Sequence, residues 1–184
     1  MLILASNSPR RKELLEKLQI NFVCDPVDVD ETVSGDLPVS SVAEVLALRK
    51  ANAGLIKHPD DTVIGSDTIV VINNEILGKP KNATNAKQML QLLSDSVHKV
   101  YTGVAIKNSQ KIITFTECTE VAFDNLSDYE IDEYINSGET DDKAGAYAIQ
   151  GLGSKFIKWI KGDFYNVVGL PINRLYNELK NMER

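Results

Sequence analysis

The clearest hydrophobic pattern lies at residues 62–72. There β-branched Val and Ile crowd both sides of Gly65-Ser66-Asp67-Thr68 and predict a strand. Asn73-Asn74 follow as a tight turn, because asparagine tolerates positive φ, and residues 75–77 return as a short hairpin partner. Residues 2–5 predict a short buried strand and 22–29 an extended segment. Residues 99–107 and 111–123 predict two strands around a turn at Asn108-Ser109.

Helical spacing takes over between these segments. Ser8 reads as an N-cap with Pro9 at the first helical position, and Leu14, Leu15 and Leu18 give that helix its apolar face. A second helix is predicted from about residue 41 to 56, with Val42, Val45, Leu46 and Ala53 at helical spacing. A third covers 84–94 with Ala86, Met89, Leu90 and Leu93 on one face. Ser127-Asp128-Tyr129-Glu130 is a capping box for a fourth, which reaches Ile135 and is closed by Gly138. Short strands are expected within the glycine-rich stretch 138–169, and a terminal helix over 171–182. Interspersed helices and strands, some joined by hairpins, predict an α/β protein with a mixed β-sheet and flanking helices.

The length of 184 residues fits one domain, since domains run to ~100–200 residues. Hydrophobic residues at 43% and charged residues at 25% exclude a disordered chain. No apolar run approaches the ~18–20 residues a membrane span requires, so no membrane partner is expected. The opening Met1-Leu2-Ile3-Leu4-Ala5-Ser6 has no basic stretch, and no signal peptide is expected. Cys24 and Cys118 lie far apart in sequence and read as two reduced thiols of a cytoplasmic protein. A net charge of −6 disfavours nucleic acid as a partner. It leaves room for a small anionic ligand wherever the cations cluster.

One such cluster stands out. Arg10, Arg11 and Lys12 occupy the first turn of a helix whose dipole already makes that end positive. The arrangement is unfavourable unless an anion sits there, and Ser6 and Ser8 add hydroxyls to what reads as a phosphate cradle. Asp67 sits inside a run that should be largely buried, so it needs a cation, a metal or a strand end facing a site. Gly78-Lys79-Pro80 fixes the backbone around one lysine that could neutralise phosphate. Gln150 carries a donor and an acceptor suited to the edge of a base, among small residues that allow close approach. Asp25, Asp28, Asp30 and Glu31 form an acidic loop that could supply a metal ligand. No Walker A sequence, dinucleotide fingerprint, nucleophile elbow or histidine-rich zinc spacing occurs, and Trp159 is expected in the core.

These pieces together resemble the Maf family of nucleoside triphosphate pyrophosphatases, also called septum-formation proteins. The resemblance spans nearly the whole chain. It rests on Leu4-Ala-Ser-Asn-Ser-Pro-Arg-Arg-Lys-Glu-Leu-Leu15, Gly65-Ser-Asp-Thr68, Gly78-Lys-Pro80, Val100-Tyr-Thr-Gly103, Ser137-Gly-Glu-Thr-Asp-Asp-Lys-Ala-Gly-Ala-Tyr147, Ile149-Gln-Gly151 and Val167-Val-Gly-Leu-Pro171. Thr140 stands where the family usually has proline, and Asp95 lies near a common glycine.

The resemblance implies a single domain over residues 1–184, with the two-lobed inosine-triphosphatase-like fold around a central cleft. It implies metal-dependent hydrolysis of a nucleoside triphosphate to the monophosphate and pyrophosphate, and a possible homodimer. Arg10, Thr68 and Gln150 match the base-selecting positions of the branch that acts on dTTP and UTP. Glu31 and Asp67 become the expected ligands of Mg²⁺ or Mn²⁺, with Asp67 also directing the attacking water. Ser6, Ser8, Arg11, Lys50 and Lys79 are expected to hold the phosphates. The competing expectation is a nucleotide-binding regulator of cell division without essential catalysis. Against it stand the carboxylates Glu31 and Asp67, which repel phosphates unless a cation intervenes.

Overall fold

The protein is described here from a computed structural model covering residues 1–182; the last two residues of the expected domain lie outside this range. Fifteen segments of regular structure follow one another among the described residues. Seven are strands: β1 (Leu2–Leu4), β2 (Phe22–Cys24), β3 (Thr62–Ile72), β4 (Glu75–Leu77), β5 (Val97–Lys107), β6 (Ile112–Phe123) and β7 (Ile157–Lys161). The helices are α1 (Pro9–Glu16), α2 (Val39–Lys57), α3 (Ala83–Leu93), α4 (Asp128–Asn136), α5 (Phe164–Val168) and α6 (Ile172–Met182), with 3₁₀ turns at Ala144–Ala146 and Leu152–Phe156. No helix among the described residues is long and apolar enough to cross a membrane.

The strands form one mixed sheet in the order β2-β1-β3-β5-β6-β7, with β4 paired to β3. β1 runs parallel to both β2 and β3, pairing Leu4 with Cys24 and Ile64. β4 returns antiparallel on β3, and β7 antiparallel on β6. The chain divides into two compact units. Among the described residues the first holds Met1–Thr68, Thr102–Glu117 and 165–182; the second holds Ile69–Tyr101 and Cys118–Phe164.

Local chemistry accounts for most boundaries. Ser8 caps α1 by accepting from the Arg11 backbone N–H, and Pro9 follows at its start. The Ser127–Glu130 capping box opens α4, and Gly138 ends that region with φ +76°. Asn73 and Asn74 take φ of 51° and 65° in the tight turn between β3 and β4. Asp95 likewise takes φ 51°, a left-handed value that aspartate tolerates where a glycine would be unstrained.

The first unit is built around α2. Its buried face is Val42, Ala43, Leu46, Ala47, Ala51 and Gly54, while Val45 and Ala53 are only half-buried. The small residues let the helix backbone lie almost on the sheet. A Cβ at Gly65 would stand 2.1 Å from the Ala47 carbonyl oxygen, and one at Gly103 would stand 2.3 Å from that of Ala43. The second unit packs Tyr147, Phe123, Phe156, Tyr134 and His98 into an aromatic core of mostly edge-on contacts.

Three expectations are corrected. The extended segment after residue 22 pairs only as far as Cys24, and the acidic stretch beyond it is irregular. Residues 138–169 contain one strand, β7, with 3₁₀ turns and the short α5 filling the rest. Trp159 is not in the core: it is 43% exposed on β7, a strand whose two faces are both largely uncovered, with its neighbour Lys158 exposed as well.

Candidate active site

Parallel pairing places the chemistry of the first unit. β1 stops at Leu4, paired with Ile64, while β3 runs on to Ile72. Ser66, Asp67 and Thr68 therefore extend past the carboxyl end of their neighbour, where the chain turns through Ser6 and Ser8 into α1. Carboxyl ends of parallel strands are the usual ligand side of an α/β sheet. This is how an aspartate comes to sit within an apolar strand without being sealed inside the sheet.

Asp67 is not alone. Lys50, on α2, lies 2.5 Å from Asp67 Oδ1 and 2.9 Å from Glu31 Oε1. The Lys50 and Asp67 side chains are 13% and 14% exposed, whereas Glu31 is 64% exposed on the irregular loop. Two carboxylates thus converge on one cation, which offsets their mutual repulsion and the burial of Asp67. The loop is held from the same helix: Arg49 Nη1 donates to the backbone carbonyls of Asp30 (2.7 Å) and Thr32 (2.6 Å), on either side of Glu31. The Asp30 carboxylate closes a local turn by accepting from the Thr32 N–H at 2.8 Å. Asp25, the first acid of the loop, is taken by His58 at 2.7 Å and Lys57 at 3.3 Å.

A second network occupies the start of α1. Ser6 Oγ accepts from the Ser8 N–H at 3.1 Å and from Arg11 Nη1 at 3.4 Å. Arg11 Nε donates to the Gly169 carbonyl at 2.9 Å, and Nη2 to Thr68 Oγ1 at 3.0 Å. Thr68 Oγ1 meets Thr102 Oγ1 at 2.9 Å, and Thr102 donates on to the Asn166 carbonyl at 2.9 Å. Burial pushes the Arg11 guanidinium below its ordinary value, with Arg10 adding to the shift and Asp67 and Glu31 opposing it. The guanidinium therefore lies within the electrostatic field of both carboxylates. Thr68 is joined to Arg11 and not to Arg10. Arg10, half-buried on the same turn, enters no hydrogen bond or ion pair with another described residue.

The two remaining candidates belong to the second unit. Lys79 is exposed just after β4, where the neighbouring Gly78 carbonyl accepts from the Gly145 N–H at 3.1 Å. Gln150 is exposed in a turn closed by the Gly151 N–H on the Ala148 carbonyl at 3.3 Å. The sequence reading missed Thr102, Arg49 and the Gly169 carbonyl. Thr102 lies in a motif that had been singled out, but its partner only appears once β5 lies beside β3. Arg49 contacts main-chain atoms, which leave no signature in the side-chain pattern.

The Glu31–Asp67 pair has the donor chemistry of a divalent-ion site. Hard oxygen donors from two separate elements already meet a single cation, and Mg²⁺ typically binds through one or two carboxylates plus substrate phosphates. No group of three or more metal-ligating side chains occurs among the described residues. The donor set therefore fits an ion shared with a substrate, and does not make an all-protein cage.

Fold and site together define an α/β protein with an acidic pair and a cationic helix start beside its parallel strands. The fold matches the Staphylococcus aureus Ham1 protein with a TM-score of 0.56 at 14% identity, covering 98% of both chains. A HAM1 protein from Coxiella burnetii matches with a TM-score of 0.52 at 18% identity, again over 98% of both. Residues 1–182 match the family model described as Maf-like protein, and the chain belongs to that family. A Bacillus cytotoxicus relative named dTTP/UTP pyrophosphatase is 51% identical over 181 residues, covering 98% of this chain and 95% of the relative. A Bacillus cereus protein of the same name is 53% identical over 179 residues, covering 97% of this chain and 94% of the relative.

Proposed function

We propose that this chain is a nucleoside triphosphate pyrophosphatase that hydrolyses dTTP and UTP to the monophosphate and pyrophosphate. The observation that carries this reading is identity of about half, over nearly the whole length, to relatives named for that activity. The convergence of Glu31 and Asp67 on Lys50 supports it independently, since phosphoryl transfer needs an acceptor for the water proton beside fixed positive charge.

In this reading Asp67 orients the attacking water and takes its proton. The new bond forms between the water oxygen and the α-phosphorus. The bridge to the β-phosphorus breaks, and pyrophosphate leaves with the bonding electrons. Lys50 pairs with Asp67 and offsets its charge beside the substrate. Ser6, Ser8 and Arg11 at the positive end of α1 hold phosphate oxygens, and Lys79 neutralises the leaving group. A Mg²⁺ or Mn²⁺ ion held by Glu31 and Asp67 would supply charge neutralisation on the triphosphate when bound. Arg10, Thr68 and Gln150 select the base, Gln150 by complementing the imide edge of a pyrimidine. The whole chain serves as one functional domain in the cytoplasm, acting on free nucleotides rather than nucleic acid or membrane. A homodimer is the expected assembly, and sedimentation of a monomer at working concentration would remove that part.

A product assay tests the activity. Purified protein with Mg²⁺ or Mn²⁺ should convert UTP and dTTP to UMP and dTMP plus pyrophosphate. The Asp67→Asn variant should lose about 10²–10⁴-fold in turnover while remaining folded, because asparagine cannot take the proton. Release of diphosphate and orthophosphate, or near-normal turnover in the variant, would overturn the reading.

A further inference from the structure

In the second unit, the turn that carries Gln150 is pinned at both ends by one pair of side chains. Tyr134 and Glu139 lie on α4 and just beyond it. The Tyr134 hydroxyl donates to Glu139 Oε2 at 2.7 Å and accepts from the Ala148 N–H at 3.2 Å. The Glu139 carboxylate accepts in turn from the Leu152 N–H at 2.9 Å and the Gly153 N–H at 3.0 Å. Between these anchors run only Ile149, Gln150 and Gly151, closed on themselves by the Gly151 N–H to the Ala148 carbonyl.

The packing is equally specific. A Cβ at Gly151 would stand 1.9 Å from Glu139 Oε1, and one at Gly153 would stand 2.7 Å from the Tyr134 hydroxyl. Both glycines are therefore needed for the turn to close onto the pair. Burial pushes the Glu139 carboxyl up, but the Tyr134 hydroxyl and the two backbone N–H groups outweigh it and hold the carboxyl below its ordinary range. Tyr134 itself is almost completely buried, so its ring cannot swing away to release the turn. An exposed glutamine has several free torsions, and it can discriminate between bases only if its backbone is fixed to within a fraction of an ångström.

We infer that Tyr134 and Glu139 are positioning residues for base selection, acting by clamping residues 148–153 so that Gln150 is presented in one orientation. The inference rests on the proposed reading of Gln150 as the base-selecting side chain. Neither residue touches the substrate in this account. Their loss should spread the orientations of Gln150 and weaken discrimination while leaving the phosphate chemistry of the first unit intact.

The test is the ratio of kcat/KM for UTP over GTP in five proteins: wild type, Gln150→Ala, Glu139→Gln, Tyr134→Phe, and the Glu139→Gln/Gln150→Ala double variant. Gln150→Ala should lower the ratio. Glu139→Gln should lower it about tenfold, mainly through KM for UTP, with kcat within about threefold of wild type. Tyr134→Phe, which keeps the buried ring, should move the ratio the same way by less, and it decides the matter if Glu139→Gln does not fold. In the double variant Glu139→Gln should add nothing to Gln150→Ala, because a clamp has no effect once the side chain it holds is gone. An unchanged ratio in Gln150→Ala would remove the base-reading assignment, and this inference with it. A ratio lost in Gln150→Ala but kept in Glu139→Gln and Tyr134→Phe would overturn the clamp alone. So would a uniform loss of kcat for both substrates, or additive effects in the double variant.

Discussion

His98 shows how much one residue can set the pH range of this fold. It is 1% exposed on β5, with Nε2 against the Tyr147 hydroxyl at 2.7 Å and its ring edge-on to Phe123 and Tyr147. Its Nδ1 is buried without a partner, and burial pushes its pKa down to about 4. An unfolded histidine titrates near 6.5, so the unfolded chain takes up this proton first as the pH falls. The stabilising contribution of the neutral ring is complete above about pH 6.5 and is gone by about pH 4. Between pH 7 and pH 5 the wild-type protein should lose about 2 kcal/mol of unfolding free energy through this group. Urea midpoints at the two pH values measure it. The His98→Gln variant should be less stable at pH 7, through lost ring packing, yet nearly flat over the same interval. A variant as acid-sensitive as the wild type would place the proton uptake elsewhere.

At the scale of elements, the decisive contact is α2 against β3 and β5, and it is made by what is missing. Gly65 and Gly103 leave room for the helix backbone at Ala47 and Ala43, and backbone cannot yield as a flexible side chain can. Gly65→Ala and Gly103→Ala should each destabilise the fold by about 1–3 kcal/mol or more. Gly78→Ala, with nothing within 4 Å of its Cβ, should be near neutral. Thermal unfolding of the three variants separates the cases, and a neutral Gly65→Ala would mean α2 does not sit this close. Gly65→Ala should also depress turnover, because the same displacement moves Lys50 away from Asp67. This contact marks where sequence reading stops. Large apolar residues announced α2 and β3 through their spacing, and capping chemistry announced the starts of α1 and α4. The stripe of Ala43, Ala47, Ala51 and Gly54 carried no such signal, since small residues are equally at home on a surface. β7 was hidden for a related reason. Lys158, Trp159 and Lys161 are all exposed on it, so it lacks a clean period-two pattern and its one large aromatic misled the assignment. In the site, Asp67 was legible as a carboxylate inside an apolar strand and Glu31 as one acid of an acidic loop, while Lys50 followed only from the family resemblance. The Arg11–Thr68–Thr102 chain was not, because it needs strands far apart in sequence to meet, and the Tyr134–Glu139 clamp was not, because its partners are mostly backbone N–H groups of an irregular turn.

For the whole molecule, a net charge of −6 has to be reconciled with a triphosphate substrate. The cations Arg10, Arg11 and Lys12 on one helical turn, and Lys50 against Asp67, make local attraction possible within a repulsive average. Binding should then be strongly dependent on a divalent cation, which reduces the repulsion between the phosphates and the Glu31–Asp67 pair. A UTP analogue with an imido bridge between the α- and β-phosphorus binds without being cleaved. At about 100 times its Kd it should stabilise the native state by about 2.7 kcal/mol. For a chain of this size that is a rise in Tm of roughly 5–10 °C. The rise should be largest with Mn²⁺ present and smaller for the matching purine analogue. Asp67→Asn should keep most of it, since it removes a charge that repels the phosphates along with one proposed ligand of the ion, and Glu31 remains. Lys50→Met should keep less, because it leaves Asp67 as an uncompensated, nearly buried carboxylate facing the phosphates. If Asp67→Asn abolishes the shift while Lys50→Met retains it, then Asp67 is needed to bind the substrate with its ion, and the lost turnover of Asp67→Asn no longer supports assigning the water proton to its carboxylate.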